Sequence, residues 1–143
     1  MPADLNRAAA PCPCGLPTRQ PARLQACCGR WLAGPLHLQA PDAVALMRSR
    51  YSAYVLQDAA YLRDTWHAST RPPSIDFEPG LRWLGLQVQQ SVVLDGDHAT
   101  VRFVARSKLA GRAHRLVETS RFVREDGRWL YLDSEIDGGN TGL

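Results

Sequence analysis

The stretch LQVQQSVVLDGDHATVRFVAR, residues 86–106, decides the fold class of this chain. Apolar and polar residues alternate on both sides of Asp95-Gly96, a dipeptide typical of two-residue hairpin loops. An alternation of period two is the side-chain period of a β-strand. The stretch therefore predicts two antiparallel strands joined at Asp95-Gly96, with Leu94 opposite Asp97.

The same pattern continues towards the C-terminal end. HRLVETSRFVR (114–124) and RWLYLD (128–133) flank Asp126-Gly127, which predicts another hairpin with Glu125 opposite Arg128. A hairpin centred near Ala110 would link the two pairs into a four-stranded meander, and in that register Arg102 lies opposite Glu118. Opposite charges in direct register predict a cross-strand ion pair.

This register also predicts which residues share each face of the sheet, because the side-chain period is two. One face is almost wholly apolar and should meet the core: Val88, Val92, Val101, Phe103, Val117, Val123, Leu130 and Leu132. The other face mixes charged, polar and aromatic residues: Gln87, Gln89, Arg102, Val104, Leu116, Glu118, Ser120, Phe122, Trp129, Tyr131 and Asp133.

Two helices are predicted before the strands. In PDAVALMRSRYSAYVLQ (41–57) apolar residues recur at three- and four-residue intervals, and Asp42 is suited to cap the first turn. Asp58 caps a shorter helix, AAYLRDTWH, and residues 68–82 follow as a loop. The pattern predicts an α+β fold, a curved antiparallel sheet packed on one face by N-terminal helices.

The four cysteines lie in two close pairs, Cys12 with Cys14 and Cys27 with Cys28. Four thiolates complete the closed tetrahedral shell of a structural zinc site, and iron accepts the same ligands. Prolines and two glycines, Gly15 and Gly29, suit the tight turns around the sulfurs, and three arginines could offset the charge of the site: Arg19, Arg23 and Arg30. A disulfide, or simply buried free thiols, remain the alternatives.

Composition narrows the class of protein. Seventeen basic and fourteen acidic residues give a formal charge of +3; four thiolates around one divalent ion contribute 2 − 4 = −2, which leaves about +1. The arginines are scattered, so nucleic-acid binding is not expected. The chain lacks an apolar segment of about 20 residues and the features of a secretory signal. We therefore expect a cytoplasmic protein without a membrane anchor, in a compartment where disulfides are uncommon.

Six residues are candidates for a pocket between sheet and helices: Arg50, Tyr51, Trp66, His67, Arg102 and Glu118. In an enzyme, His67 or Glu118 would act as the general base. A structural interpretation is stronger, because an ion pair accounts for Arg102 and Glu118, core packing for Trp66, and helix capping for His67. No motif specifies a reaction, so an enzyme is the less favoured class, and no catalytic residue is assigned.

The motifs CPCG and CCG resemble the SEC-C type of zinc module. MRSRYSAYVLQDAAYLRDTWHASTRP (47–72), followed by WLGL, ETSRF and GRWLYLD, resembles the bacterial YchJ-like family, whose middle region has a cone-shaped fold similar to nuclear transport factor 2 (NTF2). The resemblance implies a metal-binding module over residues 1–35 and an NTF2-like domain over residues 36–143. It implies no established reaction.

The favoured hypothesis is a zinc-stabilised adaptor whose cysteine module presents Leu24, Trp31 and arginines to a protein partner. The resemblance implies that such partners belong to protein export, chaperone or ribosome biology, and the fold type also suggests a homodimer. The alternative is a small-molecule-binding protein or enzyme that uses the cone pocket; thiol redox chemistry or metal buffering is a third. A pocket joining His67 to Glu118 would favour the enzyme, whereas a filled cone would favour the adaptor.

A mutational expectation follows if module and cone have separate cores. Cys27→Ser should then unfold the N-terminal segment and leave the melting of the cone nearly unchanged.

Overall fold

The computed structural model describes residues 8–15 and 22–136. A 3-10 turn, Leu24–Ala26, precedes three α-helices and four strands: α1 Gly29–Leu32, α2 Ala43–Leu56, α3 Ala59–Asp64, β1 Arg82–Asp95, β2 His98–Leu109, β3 Arg112–Glu125 and β4 Arg128–Ile136. The strands form one antiparallel sheet in the order β1-β2-β3-β4, and β1 and β4 are its open edges. The α+β prediction, with helices against a curved meander, is confirmed.

Both predicted helix caps are present. Asp42 accepts a hydrogen bond from the backbone N–H of Ala45 at 2.7 Å, and Asp58 accepts one from the N–H of Tyr61 at 3.1 Å. These bonds satisfy donors that the first turn of each helix would otherwise leave unpaired. Between the helices, Gln57 adopts the left-handed conformation at φ 58° and ends α2.

The second helix is shorter than its apolar pattern predicts, because residues 65–67 join the sheet edge instead. Tyr131 donates its backbone N–H to the carbonyl of Thr65 at 2.7 Å, and its own carbonyl accepts from His67 N–H at 2.8 Å. A helix cannot continue through residues whose backbone groups pair with a strand. This connection ties α3 directly to β4.

From Glu125 to Phe122 the β3–β4 register is the predicted one, with Glu125 opposite Arg128 around Asp126-Gly127. An irregularity between Arg121 and Phe122 shifts the pairing by one residue beyond that point. The middle hairpin differs by one residue, because its loop consists of both Ala110 and Gly111, at φ 51° and 78°. As a result Arg102 lies opposite Thr119, and Phe103 lies opposite Glu118. The prediction that Arg102 and Glu118 are directly opposed is wrong.

A slip of one residue reverses the faces of a strand, so the predicted core face holds for β2 and fails for the next two strands. Val101 and Phe103 are fully buried, as predicted. From β3 and β4, however, the buried residues come from the set assigned to the outer face: Glu118, Ser120, Phe122 and Tyr131. The residues predicted for the core face of these two strands are only half-buried: Val117, Val123, Leu130 and Leu132.

The β1–β2 turn is also displaced by one residue. Asp95 pairs with His98, and its carboxylate accepts a hydrogen bond from the backbone N–H of Asp97 at 2.8 Å, which sets the loop at Gly96 and Asp97. Irregularities along β1 restore the predicted register between Gly85 and Val88. The tip of this hairpin projects from the body, so Val92 is exposed and its predicted core position is wrong.

Helix α2 is buried on almost all sides. Ser49, Arg50 and Ser52 are each 1% exposed or less, although polar residues at such positions ordinarily face solvent. The reason is that the sheet packs on one side of α2 and the cysteine module on the other, where Cys12 Sγ lies 3.5 Å from Ser52 Oγ. Module and cone thus share one continuous core, and the expectation of separate cores is wrong.

Candidate metal centre

A short backbone ladder brings the two cysteine pairs together. Cys12 N–H donates to the carbonyl of Ala22, and Leu24 N–H donates to the carbonyl of Ala10, each at 2.8 Å. Residues 16–21, between these two segments in the sequence, lie outside the described residues. The ladder holds the first pair beside the turn that carries the second.

Two glycines permit this arrangement for different reasons. Gly15 has a φ of 61°, a left-handed conformation that follows directly after Cys14. At Gly29 a Cβ atom would lie 2.6 Å from the carbonyl oxygen of Leu24 and would collide with it. The close approach of Gly29 to that carbonyl packs α1 against the preceding turn and places Cys27 and Cys28 at the start of the helix.

The four sulfur atoms form one compact cluster. The Sγ atoms of Cys12, Cys14, Cys27 and Cys28 all lie within 4.8 Å of one another, and Cys14 and Cys27 are separated by 3.6 Å. This separation is far from the roughly 2.05 Å of a disulfide bond, and all four thiols are free. The disulfide alternative is therefore not the arrangement seen here.

The cluster fits a tetrahedral metal site. Zinc–sulfur bonds of about 2.3 Å place sulfurs of a tetrahedral shell about 3.8 Å apart, which is compatible with the observed spacing. All four cysteines are buried, so the site is closed to substrate. These residues could hold a metal ion whose chemistry would be structural, because four protein ligands leave no open position. Soft thiolates suit zinc and iron alike.

The thiols compete strongly for protons in this cluster. Hydrogen bonds from Cys14 and Cys28 hold the pKa of the Cys12 thiol far below its ordinary value. Burial, reinforced by Cys14 and Cys12, raises the pKa of Cys27 to about 12, and the hydrogen bonds that Cys28 makes with Cys12 and Cys14 raise the pKa of Cys28 as well. A divalent cation that binds the four sulfur atoms would displace the thiol protons that these atoms share through hydrogen bonds.

Arginines supply positive charge beside the sulfurs. Arg30 Nε donates to the carbonyl of Cys27 at 2.9 Å, and Arg48 Nη1 donates to the carbonyl of Cys14 at 3.1 Å. Arg48 lies on α2, and sequence reasoning missed it because only the fold brings it to the module. Of the other arginines predicted for this role, Arg23 is exposed and Arg19 lies outside the described residues.

The apolar surface predicted for a partner is arranged differently. Leu24 is 6% exposed and Trp31 is 8% exposed, so these two side chains do not form an open apolar surface on the module. Their presentation to a protein partner stays a prediction. The guanidinium of Arg30 lies 4.5 Å from the centre of the Trp31 ring and covers it. Among the described residues of this region, the large apolar side chain that is exposed is Leu36, in the turn that follows α1.

Arg50, the first pocket candidate, lies at the centre of the cone. Its Nη1 donates to the carbonyl of Leu62 and to the hydroxyl of Thr65, both at 2.8 Å. Its guanidinium lies 5.1 Å from the Trp66 ring and 4.5 Å from the Tyr131 ring. Burial lowers the pKa of Arg50. Arg50 therefore joins α2, α3 and β4 as a structural element of the core.

The remaining candidates are dispersed. Glu118 is fully buried and accepts a hydrogen bond from Ser120 at 3.1 Å, while Tyr51 is buried against Trp83. His67 lies at the edge of β4, where Nε2 is 2.9 Å from a carboxylate oxygen of Glu125. Arg102 is half-buried on β2.

Two large grooves lie elsewhere. The module groove, about 560 Å³, runs between the cysteine module and the start of α3, and it is lined by Leu24, Arg30, Leu32, Ala33, Pro35, Leu36, Leu56 and Asp58, among others. The cone groove, about 840 Å³, opens between the end of α2 and the start of β1, and it is lined by Tyr54, Val55, Gln57, Asp76, Phe77, Glu78, Leu81, Arg82, Trp83 and Leu116. None of the six candidates lines either groove, so neither of these two grooves, as the described residues form them, is the predicted pocket that joins His67 to Glu118.

A meander packed by two helices, with four close cysteines docked on the first helix of the cone, defines an NTF2-like protein that carries an N-terminal SEC-C type module. Residues 42–134 match the family model described as YchJ, middle NTF2-like domain. The chain belongs to this YchJ-like family, which includes the UPF0225 proteins. The family match does not test the predicted domain boundary between residues 35 and 36, which stays a prediction.

Relatives cover nearly the whole chain. A UPF0225 protein of Methylibium petroleiphilum is 58% identical over 94% of both chains, and one of Bordetella parapertussis is 56% identical over 89% of this chain and 93% of its own. Two solved structures share the fold. They are SEC-C motif containing proteins from Rhodopseudomonas palustris (31% identity, 87% of this chain and 97% of that one, TM-score 0.71) and Psychrobacter arcticus (26% identity, 95% and 88%, TM-score 0.77).

None of the helices within residues 8–15 and 22–136 is long and apolar enough to cross a membrane.

Elemental analysis of protein purified without added metal is expected to find about one zinc ion per chain. Thiol titration should detect no reactive cysteine before a strong chelator is added and four cysteines afterwards, because buried ligand sulfurs are shielded by the ion. One iron ion per chain would still support a metal centre and would identify the metal as iron. Protein that carries no metal as purified, and whose four thiols react freely before any chelator is added, would contradict a metal centre.

Proposed function

We propose that this protein is a zinc-stabilised binding protein whose cysteine module helps to form a docking groove for an apolar segment of a protein partner. The observation that carries the proposal is the position of the module groove. Leu24 and Leu32 of the module line it together with Leu36 in the connecting turn, and Leu56 and Asp58 line it from the cone. The groove therefore depends on the docked module, and a metal that holds the module would maintain the binding surface.

The chemistry of the groove suits a peptide segment. Its walls are mainly leucine, alanine and proline side chains, and Leu36 is 49% exposed although it is apolar. Exposed apolar surface that is continuous with a concave groove is characteristic of interaction sites. Arg30 and Asp58 also line it, and such charges favour one orientation of a bound segment more than they add affinity. The partner we propose is a protein with a short apolar segment flanked by charges.

The burial of the sulfurs argues against the third hypothesis. Redox or metal-buffering chemistry requires accessible thiolates, whereas the four cysteines are between 0% and 8% exposed. A structural metal and a separate binding surface account for this burial.

Site-specific photocrosslinking in cells tests the proposed function. A photoreactive amino acid at Ala33, an exposed residue that lines the groove, should give one dominant crosslinked partner. Mass spectrometry would identify the crosslinked segment, and a peptide of that segment should bind the purified full-length protein. Leu36→Asp should weaken peptide binding at least about tenfold, because it places a charge in an apolar contact.

The matched control carries the same photoreactive residue at Val93, which is 75% exposed on the β1–β2 hairpin, away from the groove. The partner should not crosslink from this position. Equal crosslinking from Ala33 and Val93, or a peptide that binds the Leu36→Asp variant unchanged, would refute the docking groove. A crosslinked species made of two copies of this chain would show that the occupant is a second copy.

A further inference from the structure

The cone groove is independent of the module groove and has a different chemistry. It is built from the last turn of α2, the loop before β1, the start of β1 and one residue of β3. Its volume of about 840 Å³ lies within the range of small-molecule sites, which is roughly 300–1,000 Å³. None of the six residues named above as pocket candidates lines it.

Three aromatic rings form one wall of the groove. Tyr54 is central: its ring lies 6.2 Å from that of Phe77, at an angle of 80°, and 6.2 Å from that of Trp83, at an angle of 57°. All three side chains are half-buried and line the groove. The faces of aromatic rings carry partial negative charge, and rings set at steep angles to one another form the kind of cage that surrounds an alkylammonium group.

The charges in the lining have an excess of one sign. Asp76 and Glu78 lie on either side of Phe77 in the loop, and Arg82 is the cation, so the lining carries 1 − 2 = −1. The last turn of the 14-residue helix α2 adds the partial negative charge of a helix C-terminus. Arg50 and Glu118 do not line the groove; both are buried in the core, where they interact electrostatically with each other.

We propose that the cone groove binds a small organic cation whose alkylated ammonium group packs against Tyr54, Phe77 and Trp83. The carboxylates of Asp76 and Glu78 face its charge. An anion would meet two carboxylates and a single arginine, which disfavours it. Arg82 can balance one of the two carboxylates, so a purely apolar ligand would leave the other beside a desolvating surface without a counter-ion. A cation with an apolar body packs against the aromatic rings and also balances the excess carboxylate charge.

Titration with choline tests the proposal on the isotope-labelled full-length protein. The chain has four tryptophans, so the Trp83 indole N–H resonance can be assigned from a Trp83→Phe spectrum. Choline should shift this resonance in a saturable manner and leave the indole resonances of Trp31 and Trp129 in place. The neutral isostere 3,3-dimethylbutan-1-ol has the same shape without the charge, and it should bind at least about fivefold more weakly because it lacks the cation–π attraction.

A double variant, Asp76→Asn with Glu78→Gln, isolates the charge contribution. Both residues are exposed in a loop, so the fold should be retained, as unshifted resonances of the core would show. Choline affinity should fall roughly two- to tenfold, in keeping with solvent-exposed ion pairs, while affinity for the neutral isostere should stay unchanged.

Two results would overturn the proposal: the absence of a saturable Trp83 shift up to high choline concentration, or equal affinity for choline and its isostere. Neither result bears on the module groove, since its partner binding is measured at Ala33 and Leu36. The failure of one site therefore leaves the test of the other intact.

Discussion

The Cys27→Ser variant is expected to melt in a single transition at a temperature more than about 10 °C below that of the wild type. A metal bound at a concentration about a thousandfold above its dissociation constant stabilises the folded state by about 4 kcal/mol. In a chain of this size each kcal/mol moves the melting temperature by roughly 3 °C. Because the four cysteines belong to the same continuous core as the cone, the loss should spread to the whole chain.

Calorimetry on wild type, Cys27→Ser and Ala40→Ser tests this expectation. Ala40 is buried next to the module, so Ala40→Ser adds a buried hydroxyl without removing a metal ligand, and it should cost about 1 kcal/mol. A chelator should lower the melting temperature of the wild type and of Ala40→Ser, and leave Cys27→Ser almost unchanged. Two separate transitions, with the main one unmoved, would restore the interpretation that module and cone fold independently.

Removal of the buried arginine is expected to be similarly damaging. Arg50→Ala deletes hydrogen bonds to Leu62 and Thr65 and the contact with two aromatic rings. It also removes a positive charge that interacts with the buried Glu118. Losing one member of a buried charged arrangement typically costs 3–5 kcal/mol, and we expect a loss of about that size in urea unfolding.

Two further variants define what the arginine contributes. Arg63→Ala removes an exposed arginine from α3 and should change stability by less than about 0.5 kcal/mol. Arg50→Lys keeps the charge and loses the planar fork, so it should recover only part of the stability. Equal costs for Arg50→Ala and Arg63→Ala would show that the burial of Arg50 has no energetic consequence.

Local chemistry made much of the fold predictable. Asp42 and Asp58 are capping residues whose preference acts within three positions, and both cap helices where expected. Asp126-Gly127 is a strong hairpin signal, and the register around it is correct. The four cysteines lie in two close pairs in the sequence, and four thiols in such pairs favour a metal site.

The middle hairpin was not predictable in the same way. Its loop places Ala110 in the left-handed conformation, which alanine rarely adopts, so no dipeptide marked the turn. The resulting shift of one residue reversed the faces of β3 and buried Glu118, Ser120 and Phe122.

The sequence by itself determined the element types, the order of the strands and the residues that could hold a metal, because capping, strand periodicity and thiolate chemistry are properties of short segments. Only the tertiary structure decided which face of β3 meets the core, why α2 is buried on almost all sides, and where Arg48 meets the module. Those outcomes depend on contacts between residues far apart in the chain, such as Cys12 with Ser52 and Arg48 with Cys14. Such contacts form only when distant segments pack together, and no local preference encodes them.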